Sequence, residues 1–233
     1  MSAVLRMECV SKNYGATKAL ADISIDLPQG QVIGLLGPNG GGKTTLLKIC
    51  AGLLQPTTGS VQICGKPIGA ESKALVSYLS DRTYLSDGQK IREQLSYFQD
   101  FYRDFDRYRA EDMLRQLGID LNARFRTLSK GAKEKVQLVL VMARKAKLYL
   151  LDEPIGGVDP AARDYILQTI TRNRDPESTV LISTHLIADV EPVLDGFLFL
   201  HQGSIVRSGY AQQVREEEGK SLDELFREVF KCF

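Results

Sequence analysis

The sequence has no closely spaced cysteine pair and almost no net charge, and each of these absences argues against a class of function. No C-x-x-C pair, the spacing typical of metal and redox sites, occurs among its four cysteines, which are Cys9, Cys50, Cys64 and Cys232. Because two of them lie in apolar runs expected in the core, we expect free thiols in a reducing compartment, the cytosol. Lys and Arg total 30 against 29 Asp and Glu, so electrostatics give no case for a nucleic-acid partner.

Membrane-spanning and leader segments are also missing from the sequence pattern. No run approaches the roughly 18 consecutive apolar residues of a membrane helix, and the N-terminal stretch MSAVLRMECV lacks the apolar region of a signal peptide. No linker, internal repeat or low-complexity tract divides the 233 residues. We therefore expect a single α/β domain that reaches a membrane only through a partner.

A glycine-rich motif occupies residues 34 to 49, GLLGPNGGGKTTLLKI. It fits G-x-x-x-x-G-K-[ST], with Gly37, Gly42, Lys43 and Thr44 at the fixed positions. Glycines allow backbone N–H groups to approach phosphate oxygens closely, and the following helix presents its positive end to the anion. Lys43 would reach the outer phosphates and Thr44 would ligate magnesium. The motif predicts nucleotide binding.

The rest of the chain predicts alternating strands and helices. A helical stretch is expected from about Ile91 to Ala146 and a helix from about Pro160 to Arg172. Continuous apolar runs predict buried parallel strands at Lys147–Pro154 and Ser178–Thr184. Further strands are predicted at Met7–Val10, Ile23–Leu27, Val32–Leu36, Val61–Cys64 and Val76–Leu79. This order predicts an α/β fold with a mostly parallel central sheet.

Polar residues at strand and helix ends are candidates for chemistry. Asp152 and Glu153 lie at the end of a predicted buried strand, which is where ligands bind in open α/β sheets. Asp152 would hold magnesium and Glu153 would act as a general base. Alternatively, the acidic pair caps the next helix. His185 follows another predicted strand, and without further context a single histidine fits a structural role. Ser129 and Gly131 lie at the start of a predicted apolar helix. They either form an anion site there or Ser129 simply caps the helix.

These motifs, in this order, resemble the ATPase subunits of ATP-binding cassette transporters from about Met7 to at least Gly209. The resemblance rests on Tyr14 in SKNYG and on the stretches GGGKTT, LSKGA, LYLLDEP, GGVDP and STH. It implies a P-loop NTPase fold in one domain, residues 1–233, which binds ATP and Mg²⁺. An N-terminal β-rich subdomain, an inserted helical subdomain at about 88–146 and a C-terminal helical extension at about 211–233 are expected.

The resemblance also implies a role for each matching residue. Tyr14 would stack on adenine, His185 would contact the γ-phosphate and position Glu153 or the water, and Asp159 would cross a dimer interface. Two subunits would face each other head to tail, so that Ser129 and Gly131 of one cover the ATP of the other. The phosphates would lie against Gly37, Pro38, Asn39, Gly40, Gly41, Gly42, Lys43, Thr44 and Thr45, with Lys43 also catalytic.

Four positions depart from the family's pattern. The signature has Lys130 and Ala132 where the family has Gly and Gln, and Gly156 stands where a serine is common. Asp81 aligns with the glutamine of the Q-loop. An ionised aspartate only accepts hydrogen bonds and suits magnesium as an oxygen ligand; alternatively it is a solvated loop residue that does not reach the site.

The resulting hypothesis is an ATP-hydrolysing subunit that powers a membrane transporter, with export favoured over import. Its partners would be an integral-membrane subunit and a second ATP-binding subunit, identical or different, and it would lie on the cytoplasmic face of the cell membrane. Two alternatives stay open. One is a nucleotide-sensing regulatory subunit, which Asp81 favours, and the other is a soluble ATPase of the same type.

Overall fold

The computed structural model describes residues 3–156, 158 and 160–231. Its strands are β1 (Ala3–Tyr14), β2 (Thr17–Pro28), β3 (Val32–Leu36), β4 (Thr58–Ile63), β5 (Lys66–Pro67), β6 (Val76–Leu79), β7 (Leu148–Asp152), β8 (Thr179–Thr184), β9 (Gly196–His201) and β10 (Ser204–Tyr210). Its helices are α1 (Lys43–Cys50), α2 (Ala70–Ala74), α3 (Ile91–Phe101), α4 (Arg107–Gln116), α5 (Lys130–Met142), α6 (Pro160–Arg172), α7 (Ile187–Val190), α8 (Ala211–Gln213) and α9 (Leu222–Lys231).

The central sheet has the strand order β10-β9-β3-β8-β7-β6. Its strands run parallel except β10, which pairs antiparallel with β9 at one edge. Every residue of β3, β7 and β8 is buried, as expected for strands covered on both faces. The predicted α/β class with a mostly parallel sheet is confirmed. Since parallel strands end at the same edge, β3, β7 and β8 bring their last residues together.

A second, antiparallel sheet has the order β2-β1-β4-β5 and covers one face of the central sheet with α1. Its first two strands form a hairpin whose register runs from Ala3 and Pro28 to Tyr14 and Thr17. Both strands are longer than predicted, because the hairpin ladder continues through polar residues such as Lys12 and Asn13 and because the strands also include buried Val4, Leu5 and Leu20. This sheet is the β-rich N-terminal part of the chain.

The other face of the central sheet packs against the segment between β6 and β7. This segment holds α3, α4, a short 3₁₀ turn at Phe125–Thr127 and α5, whose apolar side chains join one cluster with Leu79 and Leu151. Buried Arg144, just after α5, donates to the carbonyls of Ala74 and Val76 near β6. The arginine thereby fixes the helical segment to the sheet edge.

The last part of the chain packs back onto the same core. α8 continues into a π-helical turn at Val214–Glu218, and α9 buries Leu222 and Leu225. Phe226 and Phe230 stack on each other and meet Phe199 of β9 edge-on. The amphipathic C-terminal helix therefore packs on the core of its own chain. No helix in the described ranges is long and apolar enough to cross a membrane.

Candidate active site

Residues 37–45, which we call the phosphate loop, comprise the turn after β3 and the first three residues of α1. Its first glycine is a steric requirement, because a Cβ on Gly37 would lie 2.2 Å from the carbonyl oxygen of Leu200 in β9. Gly42, the residue before α1, has φ of +105°, a backbone conformation that favours glycine. The loop therefore closes tightly against the sheet and leads into a helix N-terminus, an arrangement suited to phosphate.

Lys43 is the cation of this loop and is only 6% exposed. Its Nζ donates to the carbonyl oxygens of Gly37 at 2.8 Å and Pro38 at 3.1 Å. The same nitrogen lies 3.5 Å from Oε1 of Glu153. Burial lowers the pKa of Lys43, and the nearby carboxylate of Glu153 opposes that shift. The ammonium is thus desolvated within the loop, where it interacts strongly with anions.

Asp152 lies at the end of β7, almost completely buried, with hydroxyl groups on both carboxylate oxygens. Oδ1 accepts from Ser183 Oγ at 2.5 Å and from Thr44 Oγ1 at 3.2 Å, and Oδ2 accepts from Tyr78 Oη at 3.5 Å. Burial raises the pKa of Asp152, and the hydrogen bonds from Ser183 and Thr44 oppose the rise. A carboxylate beside a threonine hydroxyl is an oxygen donor set that fits Mg²⁺.

The number of protein ligands available here also fits magnesium. Across the described ranges, no group of three or more His, Cys, Asp or Glu side chains could hold a metal by itself. Mg²⁺ commonly keeps several waters and uses one or two carboxylates together with substrate phosphates. Asp152 and Thr44 therefore suit a metal that arrives with a nucleotide.

Glu153 follows β7 in a left-handed conformation, with φ of 49°, which is uncommon for a residue with a side chain. Its backbone N–H donates to the carbonyl of Ser183 at 3.0 Å. One carboxylate oxygen accepts from Thr184 Oγ1 at 3.1 Å, and both lie within 3.2 Å of His185 Nδ1. With 20% of its side chain exposed, Glu153 combines fixed neighbours with access to water, as a general base requires.

The remaining predicted site residues lie in the phosphate loop or on other elements of the fold. Tyr14, half-exposed at the end of β1, has Lys12 Nζ 5.4 Å above its ring. Exposed Ser129 caps α5 by accepting from the Ala132 N–H, and a Cβ on Gly131 would meet open space. Asp81 is exposed, although its charge contributes to the raised pKa of Asp152. Asp159 lies outside the described residues. Within the phosphate loop, Pro38, Asn39 and Gly40 are exposed, Gly41 is buried and Thr45 is half-buried.

Sequence reasoning missed three hydroxyl residues of the site: Tyr78, Ser183 and Thr184. Ser183 pairs with Asp152 in the parallel register of β7 and β8, so its hydroxyl meets the buried carboxylate directly. The available signal was the expectation that neighbouring parallel strands end together, applied to the residues just before His185. Tyr78 could not be placed because its strand, β6, lies far from β7 in sequence.

Comparisons with known proteins place the chain in a family. The family model described as "ABC transporter" matches residues 20–156. The chain is 31% identical to the ABC transporter ATP-binding protein NatA of Bacillus subtilis over 86% of this chain and 85% of the relative. It is 28% identical to the linearmycin resistance ATP-binding protein LnrL of the same organism, over 88% of this chain and 69% of that relative. A solved structure described as an ATP-binding subunit of an ABC transporter superposes with a TM-score of 0.87 at 30% identity, covering 97% of this chain and 99% of that one.

Proposed function

Because this chain belongs to the ABC transporter family and is one of its ATP-binding, ATP-hydrolysing subunits, we propose that it powers export through a membrane subunit by opening and closing a dimer. The observation that carries the proposal is the cluster of Lys43, Glu153 and His185 beside the phosphate loop. We further propose that residues 1–233 form one domain, with a helical subdomain at about 88–146 and an extension at about 211–233.

ATP binding would rearrange the contacts of Lys43. Its ammonium would leave the Glu153 carboxylate for the outer phosphates, which carry more negative charge. Thr44 and Asp152 would hold Mg²⁺, which neutralises phosphate charge. Glu153, released from the lysine, would accept a proton from the attacking water, while His185 would orient the carboxylate and meet the γ-phosphate. Tyr14 would support the adenine by stacking.

A second subunit would complete the site. The N-terminus of α5 is exposed at its cap, Ser129. A Cβ added to Gly131, in the first turn of the helix, would meet open space. Such a helix end attracts anions, and in a head-to-tail pair it would face the γ-phosphate held by the other copy. ATP would then bridge two subunits, and its hydrolysis would release them.

Export is the direction favoured by one relative. LnrL is named for resistance to linearmycin, and removing a compound from the cell is one way in which a transporter confers resistance. The membrane subunit would also place the chain on the cytoplasmic face of the membrane. Asp81, at the position where the family has glutamine, favours one alternative, a nucleotide-sensing regulatory subunit with little turnover.

Glu153→Gln tests the proposal because it preserves size but removes the proton acceptor. Hydrolysis should slow by roughly 10²–10⁴-fold, while ATP stays bound and stabilises the closed dimer. Light scattering should then detect dimers with ATP and monomers with ADP. Glu177→Gln is the matched control, since that carboxylate is exposed and pairs with Lys147 away from the phosphate loop.

The outcomes separate the alternatives. Hydrolysis at the parent rate in Glu153→Gln would reject Glu153 as the base. A parent protein that binds ATP but hydrolyses none of it would instead support the regulatory subunit. If ATP is trapped without dimerisation, the head-to-tail arrangement of identical subunits is wrong and pairing with a different ATP-binding subunit is the next test.

A further inference from the structure

Tyr78 is a site residue to which the proposed mechanism assigns no role. It lies on β6, where Val76 and Tyr78 face the cluster around α1 while Leu79 faces the helical segment. The parallel register places Tyr78 opposite Leu150 of β7, two residues before Asp152 on the same face. A diagonal neighbour of this kind is within reach of an aromatic side chain. The register therefore directs the Tyr78 hydroxyl to the Asp152 carboxylate.

The hydroxyl contacts the carboxylate oxygen that the other donors leave free. Ser183 and Thr44 both donate to Oδ1, whereas Tyr78 donates to Oδ2 at 3.5 Å. The terminal torsion of an aspartate is broad and roughly two-fold, so donors on one oxygen alone leave the plane of the carboxylate poorly fixed. A donor on the second oxygen restricts that rotation.

We propose that Tyr78 is a positioning residue that fixes the Asp152 carboxylate for the divalent cation bound with the nucleotide. The inference rests on the proposed Mg-ATP site and adds a residue from the sheet edge to it. Asp152 is 1% exposed, so water has little access to replace the hydroxyl when it is removed. The role concerns the metal: Tyr78 should matter little for nucleotide bound without a cation.

The test removes the hydroxyl and keeps the ring, in Tyr78→Phe. Mn²⁺ is titrated into the ATP-loaded protein and its binding is followed by electron paramagnetic resonance, while ATP affinity is measured separately in EDTA. At 3.5 Å the hydrogen bond is long, so its loss should weaken Mn²⁺ binding by about three- to tenfold, the range of an ordinary hydrogen bond. ATP affinity in EDTA should stay within about twofold of the parent, because the ring and the phosphate loop are unchanged.

Tyr149→Phe is the matched control. Tyr149 lies on β7, three residues before Asp152, but faces the other side of the sheet, where its hydroxyl donates to the carbonyl of Arg144 at 2.5 Å. Its removal should lower the melting temperature and leave Mn²⁺ affinity unchanged. The pair of variants separates the loss of a tyrosine hydroxyl in general from the loss of this one.

Unchanged Mn²⁺ affinity in folded Tyr78→Phe overturns the inference. Equal weakening of ATP binding with and without metal also overturns it, because Tyr78 would then support the fold of the loop and not the carboxylate. A parent protein that binds no ATP in either condition refutes the proposed function itself, and the inference with it. These results are distinguishable because the parent is measured first in both conditions.

Discussion

Arg144 should be among the most costly residues to replace outside the candidate site. Its guanidinium is 4% exposed and makes two contacts with the carboxylate of Asp104, at 3.1 and 3.2 Å. It also donates to the Val76 carbonyl at 2.6 Å and stacks over the Tyr102 ring at 4.0 Å. Arg144→Met keeps much of the apolar stem but removes the charge and every donor.

The free energy of unfolding should fall by about 3–5 kcal/mol, the usual cost of removing one partner of a buried ion pair. The stacking on Tyr102 is included in this range, since a cation–π contact contributes about 0.5–2 kcal/mol. For a domain of this size each kcal/mol shifts the melting temperature by about 2–4 °C, so a decrease of roughly 6–20 °C is expected. Urea unfolding followed by circular dichroism measures the free energy, and calorimetry measures the melting temperature.

An exposed pair with similar chemistry provides the control. Arg6 makes two contacts with Asp26, at 2.9 and 3.1 Å, but both side chains are about half exposed. Arg6→Met should therefore cost only about 0.2–1 kcal/mol. Equal costs for the two substitutions, or a loss below about 1 kcal/mol for Arg144→Met, would show that burial does not set the contribution of these pairs.

Two other substitutions test single residues of the site. Lys43→Ala should abolish turnover or weaken ATP binding by roughly 10- to 150-fold, because it removes a charge-assisted contact of about 1.5–3 kcal/mol and leaves phosphate charge uncompensated; unchanged affinity in a fluorescent-nucleotide titration together with unchanged turnover would reject the phosphate loop as the ATP site. Asp81→Gln should change the rate of hydrolysis or its ratio between Mg²⁺ and Mn²⁺ if the Asp81 carboxylate reaches the metal. Identical steady-state kinetics with both metals would identify Asp81 as a solvated loop residue.

Strands buried on both faces were predictable from sequence, and strands at the hairpin were not. The bounds of β3 agree with the predicted range, and those of β8 agree to within one residue, because a largely apolar run coincides with each buried strand. β1 was predicted only at Met7–Val10, although it runs from Ala3 to Tyr14. From Ser11 to Tyr14 the strand continues through polar residues that pair by backbone hydrogen bonds, which leave little trace in side-chain chemistry, whereas buried Val4 and Leu5 at its start carry an apolar signal that the prediction did not use.

The same distinction holds within the site. The positions of Lys43 and Thr44 follow from a local motif, since the loop and the helix after it are adjacent in sequence. The hydroxyls of Ser183 and Tyr78 act on Asp152 only because of the register between β8, β7 and β6. Register depends on packing across the whole sheet, so a single sequence without an alignment does not fix it.

Gly156 departs from the family's pattern, and the structure suggests a physical reason for the glycine. From sequence, a glycine where serine is common only removes a hydroxyl near the expected dimer interface. In the structure, a Cβ at Gly156 would lie 3.3 Å from both the Cβ and the carbonyl oxygen of Glu153, closer than most real contacts. Glu153 already has a φ of 49°, and such strain persists only where the surroundings hold it. The glycine therefore leaves room for the strained backbone of the candidate base, whereas the sequence alone related this glycine only to the expected dimer interface.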